Sequence, residues 1–298
     1  MNTLLVLLGP TGVGKTDTAL ELAEALGSPI LNCDSRQLYR DLPIGTAAPT
    51  PQQLARVPHH FVGTLAIQDY YSAARYEQEA LALLQRLFRQ HPTVVLSGGS
   101  MMYMDAVCRG IDDIPTIDHT TRTHLSIRLA AEGLEALAAE LQRLDPAYAA
   151  QADLRNTRRV VHALEIIHQT GRTYSSFRRA GHKERPFRIV KAGLNLPRPE
   201  LFQRINRRVE QMVADGLVEE ARRMLPHRAE NALNTVGYKE MFRHLDGEWT
   251  LQEAVARIQK NTRVYAKKQL TWFARDTGIT WFAPGQTQDI LNLTSPPV

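Results

Sequence analysis

The chain has 298 residues, with 36 Lys and Arg against 31 Asp and Glu and a formal net charge of +5. That length holds one large domain with an insertion, or two domains, and a hydrophobic fraction of 43% allows a sizeable core. The apolar N-terminus lacks the charged segment of a secretory signal, and no run approaches the ~18 apolar residues of a membrane span, so a cytoplasmic, non-membrane protein is expected. The basic balance suggests a polyanionic partner. Cys33 and Cys108 have neither metal-ligand nor disulfide spacing and are expected as buried free thiols, and nothing suggests zinc.

An apolar run, Leu4 to Leu8, predicts a strand that feeds into Gly9-Pro10-Thr11-Gly12-Val13-Gly14-Lys15-Thr16. This octapeptide fits G-x-x-x-x-G-K-[ST], in which backbone amides of a glycine-rich turn and of the following helix surround a diphosphate. Lys15 supplies a mobile cation, and the Thr16 hydroxyl is placed to ligate Mg²⁺. Further strands at 30–33 and 93–96 alternate with amphipathic helices at 16–26 and 72–90. The alternation argues for an α/β fold, a P-loop NTPase-like parallel sheet flanked by helices, with ligands at the carboxyl ends of the strands. Asp34-Ser35-Arg36-Gln37 and Ser97-Gly98-Gly99-Ser100 follow two of those strands and should converge on the phosphate loop. Asp34 there can ligate a metal, accept a proton from a nucleophile or cap its own turn.

Strand signals vanish from 115 to 186, where helices at 119–143 and 153–170 predict an inserted all-helical subdomain; 1–114 and 187–298 form the core domain. The stretch 155–188 is strongly basic, with Arg155, Arg158, Arg159, Arg172, Arg178, Arg179, Lys183, Arg185 and Arg188 against Glu165 and Glu184. A β-like stretch at 188–196 returns the chain to the sheet, and helices follow near 199–225, 234–245 and 251–277. Arg204 and Arg208 lie one helical turn apart and can aim two guanidinium groups at one anion. In the last helix Leu251, Val255, Ile258, Tyr265, Trp272 and Phe273 fall on one arc, expected to pack. Arg257, Lys260, Arg263, Lys267, Lys268 and Arg275 occupy another, free to meet phosphates. The tail after Gly285 is expected to be mobile.

These residues resemble the tRNA dimethylallyltransferases, also called tRNA isopentenyltransferases. The resemblance rests on GPTGVGKT at 9–16, DSRQLYRDLPIGTAAP at 34–49, SGGS at 97–100, RRVVHALEI at 158–166, RINRRVEQM at 204–212, TVGYKE at 235–240 and TRVYAKKQLTWF at 262–273. It implies transfer of a dimethylallyl group from dimethylallyl diphosphate to N6 of adenosine-37 in tRNA, releasing diphosphate. It implies Mg²⁺ as cofactor, the tRNA anticodon stem-loop as partner, a monomer and no obligate protein partner. The loop at 9–16 would hold the diphosphate, with Lys15, Thr16, Arg204 and Arg208 stabilising the leaving group and Asp34 accepting the N6 proton. Contacts to tRNA would come from Asp34, Ser35, Arg36, Gln37, Ser100, Arg122, Arg158, Arg159, His162, Tyr238 and Lys239. Ser100 stands where the family usually has threonine, and His162 and Lys268 stand where arginine is common. On the loop alone a small-metabolite kinase or a nucleic-acid-binding nucleotide sensor fits as well; the strand at 93–96 lacks the acidic residue that a Walker B strand normally provides.

Overall fold

Every residue of Thr3–Leu8 is buried, and this strand, β1, lies inside a six-stranded, wholly parallel sheet. The computed structural model describes residues 1–178 and 183–295; Arg179 of the basic run and the end of the expected mobile tail lie outside the described residues. In chain order β1 is followed by α1 (Lys15–Leu26), β2 (Ile30–Asn32), α2 (Pro51–Arg56), β3 (His59–His60), α3 (Ala73–Leu87), β4 (Thr93–Ser97) and α4 (Met101–Arg109). Next come α5 (His119–Leu144), α6 (Pro146–Ala149), α7 (Thr157–Thr170) and α8 (Tyr174–Phe177). The chain then forms β5 (Arg188–Leu194), α9 (Arg198–Ala214), α10 (Leu217–Met224), α11 (Tyr238–Leu245), α12 (Leu251–Phe273), β6 (Ile279–Phe282) and α13 (Thr287–Thr294). The strand order is β3-β2-β4-β1-β5-β6.

Alternation along β1 divides the core in two, because successive side chains of a strand point to opposite faces. Leu4, Val6 and Leu8 join one cluster with residues of α3, α4 and α11, whereas Leu5 and Leu7 join another with residues of α1 and α9. The two cysteines are free and buried as expected.

The chain divides into two compact units, Met1–Arg109 with Glu184–Val298, and Gly110–Lys183. The second unit holds α5 to α8 around Leu125, Leu137, Leu141, Val160 and Leu164. Its end lies before the expected 186 because Arg185 belongs to the sheet unit. Arg185 forms a buried ion pair with Glu77 at 2.7 Å and donates to the carbonyls of Ala106 and Val107. Arg188, also counted in the basic run, instead donates to the carbonyls of Leu293, Thr294 and Ser295.

Other expectations change as well. The helix expected at 119–143 is broken by Gly133 (φ 79°), and the one expected at 199–225 is broken at Gly216 (φ 104°), where the chain turns from α9 into α10. The stretch after Gly285 forms α13, with Ile290 fully buried against the α1 side of the sheet. On α12 the buried line is Ala254, Ile258, Thr262, Ala266, Gln269 and Phe273. It is shifted from the expected arc, leaving Tyr265 and Trp272 each 37% exposed. The two polar residues of that line are both satisfied: Thr262 donates to the Ile258 carbonyl of its own helix, and Gln269 bonds the turns that leave β1 and β4.

Candidate active site

The turn from β1 into α1 ends on Gly14, whose φ of 106° lies where an L side chain is strained. No side chain caps α1, and the amides of Lys15, Thr16 and Asp17 have no acceptor among the described residues. Three convergent donors at the positive end of a helix make an anion cradle.

Around it lies a cleft of about 630 Å³, lined by Thr11, Gly12, Gly14, Lys15 and Thr16 of the loop, Asp34 and Gln37 after β2, Gly98 and Gly99 after β4, and Arg204 and Arg208 of α9. Gly9, Pro10 and Val13 of the loop are buried and do not line it. Lys15 Nζ donates to the carbonyls of Gly9 and Pro10 at 3.0 and 2.9 Å, and the Val13 carbonyl accepts from Arg204 at 3.4 Å. Burial, then the charge of Arg208, lowers the Lys15 ammonium to about 8, against the opposing pull of Asp34. Burial likewise lowers Arg208, which donates through Nη2 to the Thr11 hydroxyl at 2.9 Å. Its Nε is buried with no partner among the described residues, and a buried donor without an acceptor costs about 1–3 kcal/mol. Arg204 pairs with Glu200 at 3.1 Å, so the two arginines differ in how free they are for a ligand.

Asp34 divides its carboxylate between two tasks. Oδ1 accepts from the amides of Arg36 at 2.9 Å and Gln37 at 3.4 Å, which builds the turn; Oδ2 makes no hydrogen bond among the described residues. The turns after β2 and β4 touch backbone to backbone: a Cβ on Gly98 would stand 2.2 Å from the Cys33 carbonyl carbon. No residue other than glycine fits there.

The remaining expected contacts divide. Arg36 donates to the carbonyls of Asn231 and Ala232, and the Gln37 amide nitrogen donates to those of Thr46 and Ala47, so both hold their own turn to neighbouring backbone. Ser35 and Ser100 are partly exposed and Lys239 is exposed. Tyr238 leaves the set of expected tRNA contacts. It is fully buried, and its hydroxyl donates to Glu220 at 2.6 Å. In the helical unit Arg158 and Arg159 are exposed, while Arg122 (3.8 Å) and His162 (3.4 Å) flank the buried carboxylate of Glu165.

Two buried residues that shape the cleft are not evident from sequence. Glu220, fully buried, accepts from the amides of Ile44 and Gly45 at 2.9 and 2.7 Å as well as from Tyr238, and so fixes the 43–49 lip of the cleft. Gln269, fully buried on α12, joins the phosphate loop to the turn after β4. Its one signal in the sequence is a Gln at helical spacing from Ala266, Thr262 and Ile258, amid a run of lysines and arginines.

A parallel sheet with a glycine-rich anion cradle on a central strand, and a cationic cleft at the strands' carboxyl ends, defines a P-loop NTPase-like α/β protein. The IPP transferase family model matches residues 37–276. The chain is 60% identical over 290 residues to tRNA dimethylallyltransferase 1 of Phocaeicola vulgatus, covering 97% of each. A solved tRNA isopentenylpyrophosphate transferase from Bacillus halodurans is 35% identical, with a TM-score of 0.70 over 98% of this chain and 94% of that one. The fold alone is shared with a eukaryotic dimethylallyltransferase solved acting on tRNA, at 23% identity and a TM-score of 0.81 over 97% of this chain and 75% of that one. The chain belongs to the IPP transferase family, the tRNA dimethylallyltransferases.

Proposed function

We propose that this enzyme transfers the dimethylallyl group of dimethylallyl diphosphate to N6 of adenosine-37 beside a tRNA anticodon. The loop amides, Lys15, Arg204 and Arg208 hold the diphosphate, and N6 attacks C1 of the dimethylallyl group from the open side of the cleft. The C1–O bond breaks with its electron pair leaving on diphosphate, and the proton shed by N6 passes to Asp34 Oδ2. An exocyclic amine is a poor nucleophile because its lone pair is delocalised into the ring, so a placed base contributes on the order of 10²- to 10⁴-fold. The observation that carries this reading is the half-committed carboxylate of Asp34: one oxygen fixed by its turn, the other unpaired at the rim of a cationic cradle.

Mg²⁺ fits the residues present. The Thr16 hydroxyl lines the cleft without a hydrogen bond among the described residues, and one hard protein oxygen is a usual share for an ion that takes its other ligands from phosphate and water. Thr16 would hold it, and its chemistry when bound is to offset charge building on the departing diphosphate. To reach Asp34 the base must leave its stack, and the exposed arginines of the helical unit supply cations for the stem-loop phosphates.

The test is mass spectrometry of unmodified tRNA incubated with protein, Mg²⁺ and dimethylallyl diphosphate, beside an ATP-only reaction. Gain of one C5H8 unit on an anticodon-loop adenosine is expected. No gain, with ATP consumed on a small acceptor, would replace this reading with a kinase.

A further inference from the structure

Transfer needs two turns held at one spacing: the phosphate loop after β1, which carries the donor, and the turn after β2, which carries Asp34. The sheet sets that spacing only up to its last paired residues, Leu7 opposite Ser97 and Asn32 opposite Ser97. Thr11 and Gly99 lie beyond them. Gln269 spans the gap. Its Oε1 accepts the Thr11 amide at 2.8 Å, and its Nε2 donates to the Gly99 carbonyl at 2.8 Å. An amide can only donate and a carbonyl only accept, so the orientation of the glutamine head is determined by its partners.

Each end of this strut continues into the chemistry. On one side the Thr11 hydroxyl accepts from Arg208, the arginine whose buried Nε has no partner among the described residues. On the other, Gly99 abuts the base: a Cβ there would lie 2.9 Å from Asp34 Oδ2 and 3.4 Å from Gln269 Nε2. The Gly99 turn is itself fastened to the Asp34 turn, since Cys33 donates to the Ser97 carbonyl at 2.7 Å and Ser100 donates to the Cys33 carbonyl at 2.9 Å. A displacement of Gly99 is therefore passed to the carboxylate. Tyr265, one turn earlier on α12, adds a second donor to the Gly99 carbonyl at 3.2 Å.

We infer that Gln269 is a positioning residue for the transfer step, setting the distance between the diphosphate cradle and the base while touching neither substrate. This role rests on the assignment of donor loop and base proposed above. Because misplacing reacting groups by about 1 Å costs on the order of 100-fold, the loss on breaking the strut falls on turnover rather than on binding.

Gln269→Leu removes both bonds at similar volume, and Gln269→Asn keeps both groups on a side chain one carbon too short to reach. Single-turnover transfer, diphosphate and tRNA binding, and thermal unfolding are measured together. Both variants should lose roughly 30- to 100-fold in turnover while the two dissociation constants stay within about twofold. Turnover near wild type in either folded variant overturns the inference, as does a loss confined to KM. Should Gln269→Leu not fold, the gentler Gln269→Asn decides. Wild-type protein in the same assay separates the two ideas: no transfer by wild type removes the parent reading, whereas transfer by wild type and variants alike removes only the strut.

Discussion

Lys15 and Arg208 of the cleft and the arginines of the helical unit are held in opposite ways. In the cleft Lys15 rests on the carbonyls of Gly9 and Pro10, and Arg208 rests on the Thr11 hydroxyl with one donor unmet; neither is paired with a carboxylate among the described residues. In the helical unit Arg128 lies between Glu132 and Glu140, Arg172 covers Phe177, and Arg178 covers Tyr148. Positive charge enclosed beside carbonyl and hydroxyl dipoles, with Asp34 the carboxylate acting on both cations, awaits a further anion, because its interaction with one is little screened. Positive charge on the surface is already solvated and is screened within about 8–10 Å. Single residues should therefore decide events in the cleft, and sums of residues should decide them on the surface.

The largest effect belongs to Asp34. Asp34→Asn keeps an oxygen for the amides of Arg36 and Gln37, so the turn survives while the base is lost. Single-turnover transfer should fall at least ~100-fold with tRNA affinity nearly unchanged; near-wild-type turnover would remove Asp34 from that role.

Next comes Lys15, where the contrast can be sharpened with pH. Its ammonium, lowered to about 8 from an ordinary 10.5, is partly neutral in the empty enzyme at alkaline pH, and a bound diphosphate restores the proton. Diphosphate binding at pH 8 to 9 should take up protons, seen in calorimetry across buffers of different ionisation heat, and Lys15→Ala should abolish the uptake while weakening donor binding far more than tRNA binding. The stability linkage runs in the same pH direction as for a salt-bridged carboxylate, since the folded pKa is lowered in both, but it acts at alkaline instead of acid pH. The unfolded chain holds this proton more tightly, so the contribution of Lys15 to the stability of the ligand-free protein rises as pH climbs from about 8 towards 10.5. Proton release on binding would contradict the enclosure described here.

How far the chain could be read from sequence follows the same division. The phosphate loop, the Asp34 turn and the sheet's central strands were legible because each rests on a local pattern: an apolar run, glycines at fixed offsets, a polar cluster at a strand end. Strand β3 is two residues long and β6 four, too short to show a period, and α13 follows a glycine that reads as a stop. Gln269, Glu220 and Tyr238 were illegible for a deeper reason. Their partners lie 258, 176 and 18 residues away, so their roles exist only once the fold has closed. Arg185 and Arg188 looked like members of a basic surface run because charge counts do not reveal pairing with Glu77 or with the carbonyls at the end of α13.

A smaller effect is expected at the lip of the cleft. A Cβ on Gly45 would meet the Tyr238 ring and hydroxyl at 2.6 Å, and Tyr238 cannot retreat because it is buried and bonded to Glu220. Gly45→Ala should cost about 1–3 kcal/mol of stability and weaken donor binding severalfold, checked by denaturant unfolding and calorimetry. An unchanged midpoint would mean that the lip yields freely and is not part of the rigid cleft.

The smallest expected effect tests the surface half of the contrast. Arg158 and Arg159 are exposed on the first turn of α7, and neither pairs with a carboxylate among the described residues. Replacing either one by Ala should weaken tRNA binding only a few-fold, and replacing both should lower the slope of log affinity against log salt by roughly one for each phosphate contact removed. The rate of transfer at saturating tRNA should stay at the wild-type value, because these side chains act on docking and not on the reacting atoms. A large loss from one arginine alone, independent of salt, would mean that the helical unit grips a defined group as the cleft does, and the opposition between enclosed and solvated cations would fail there.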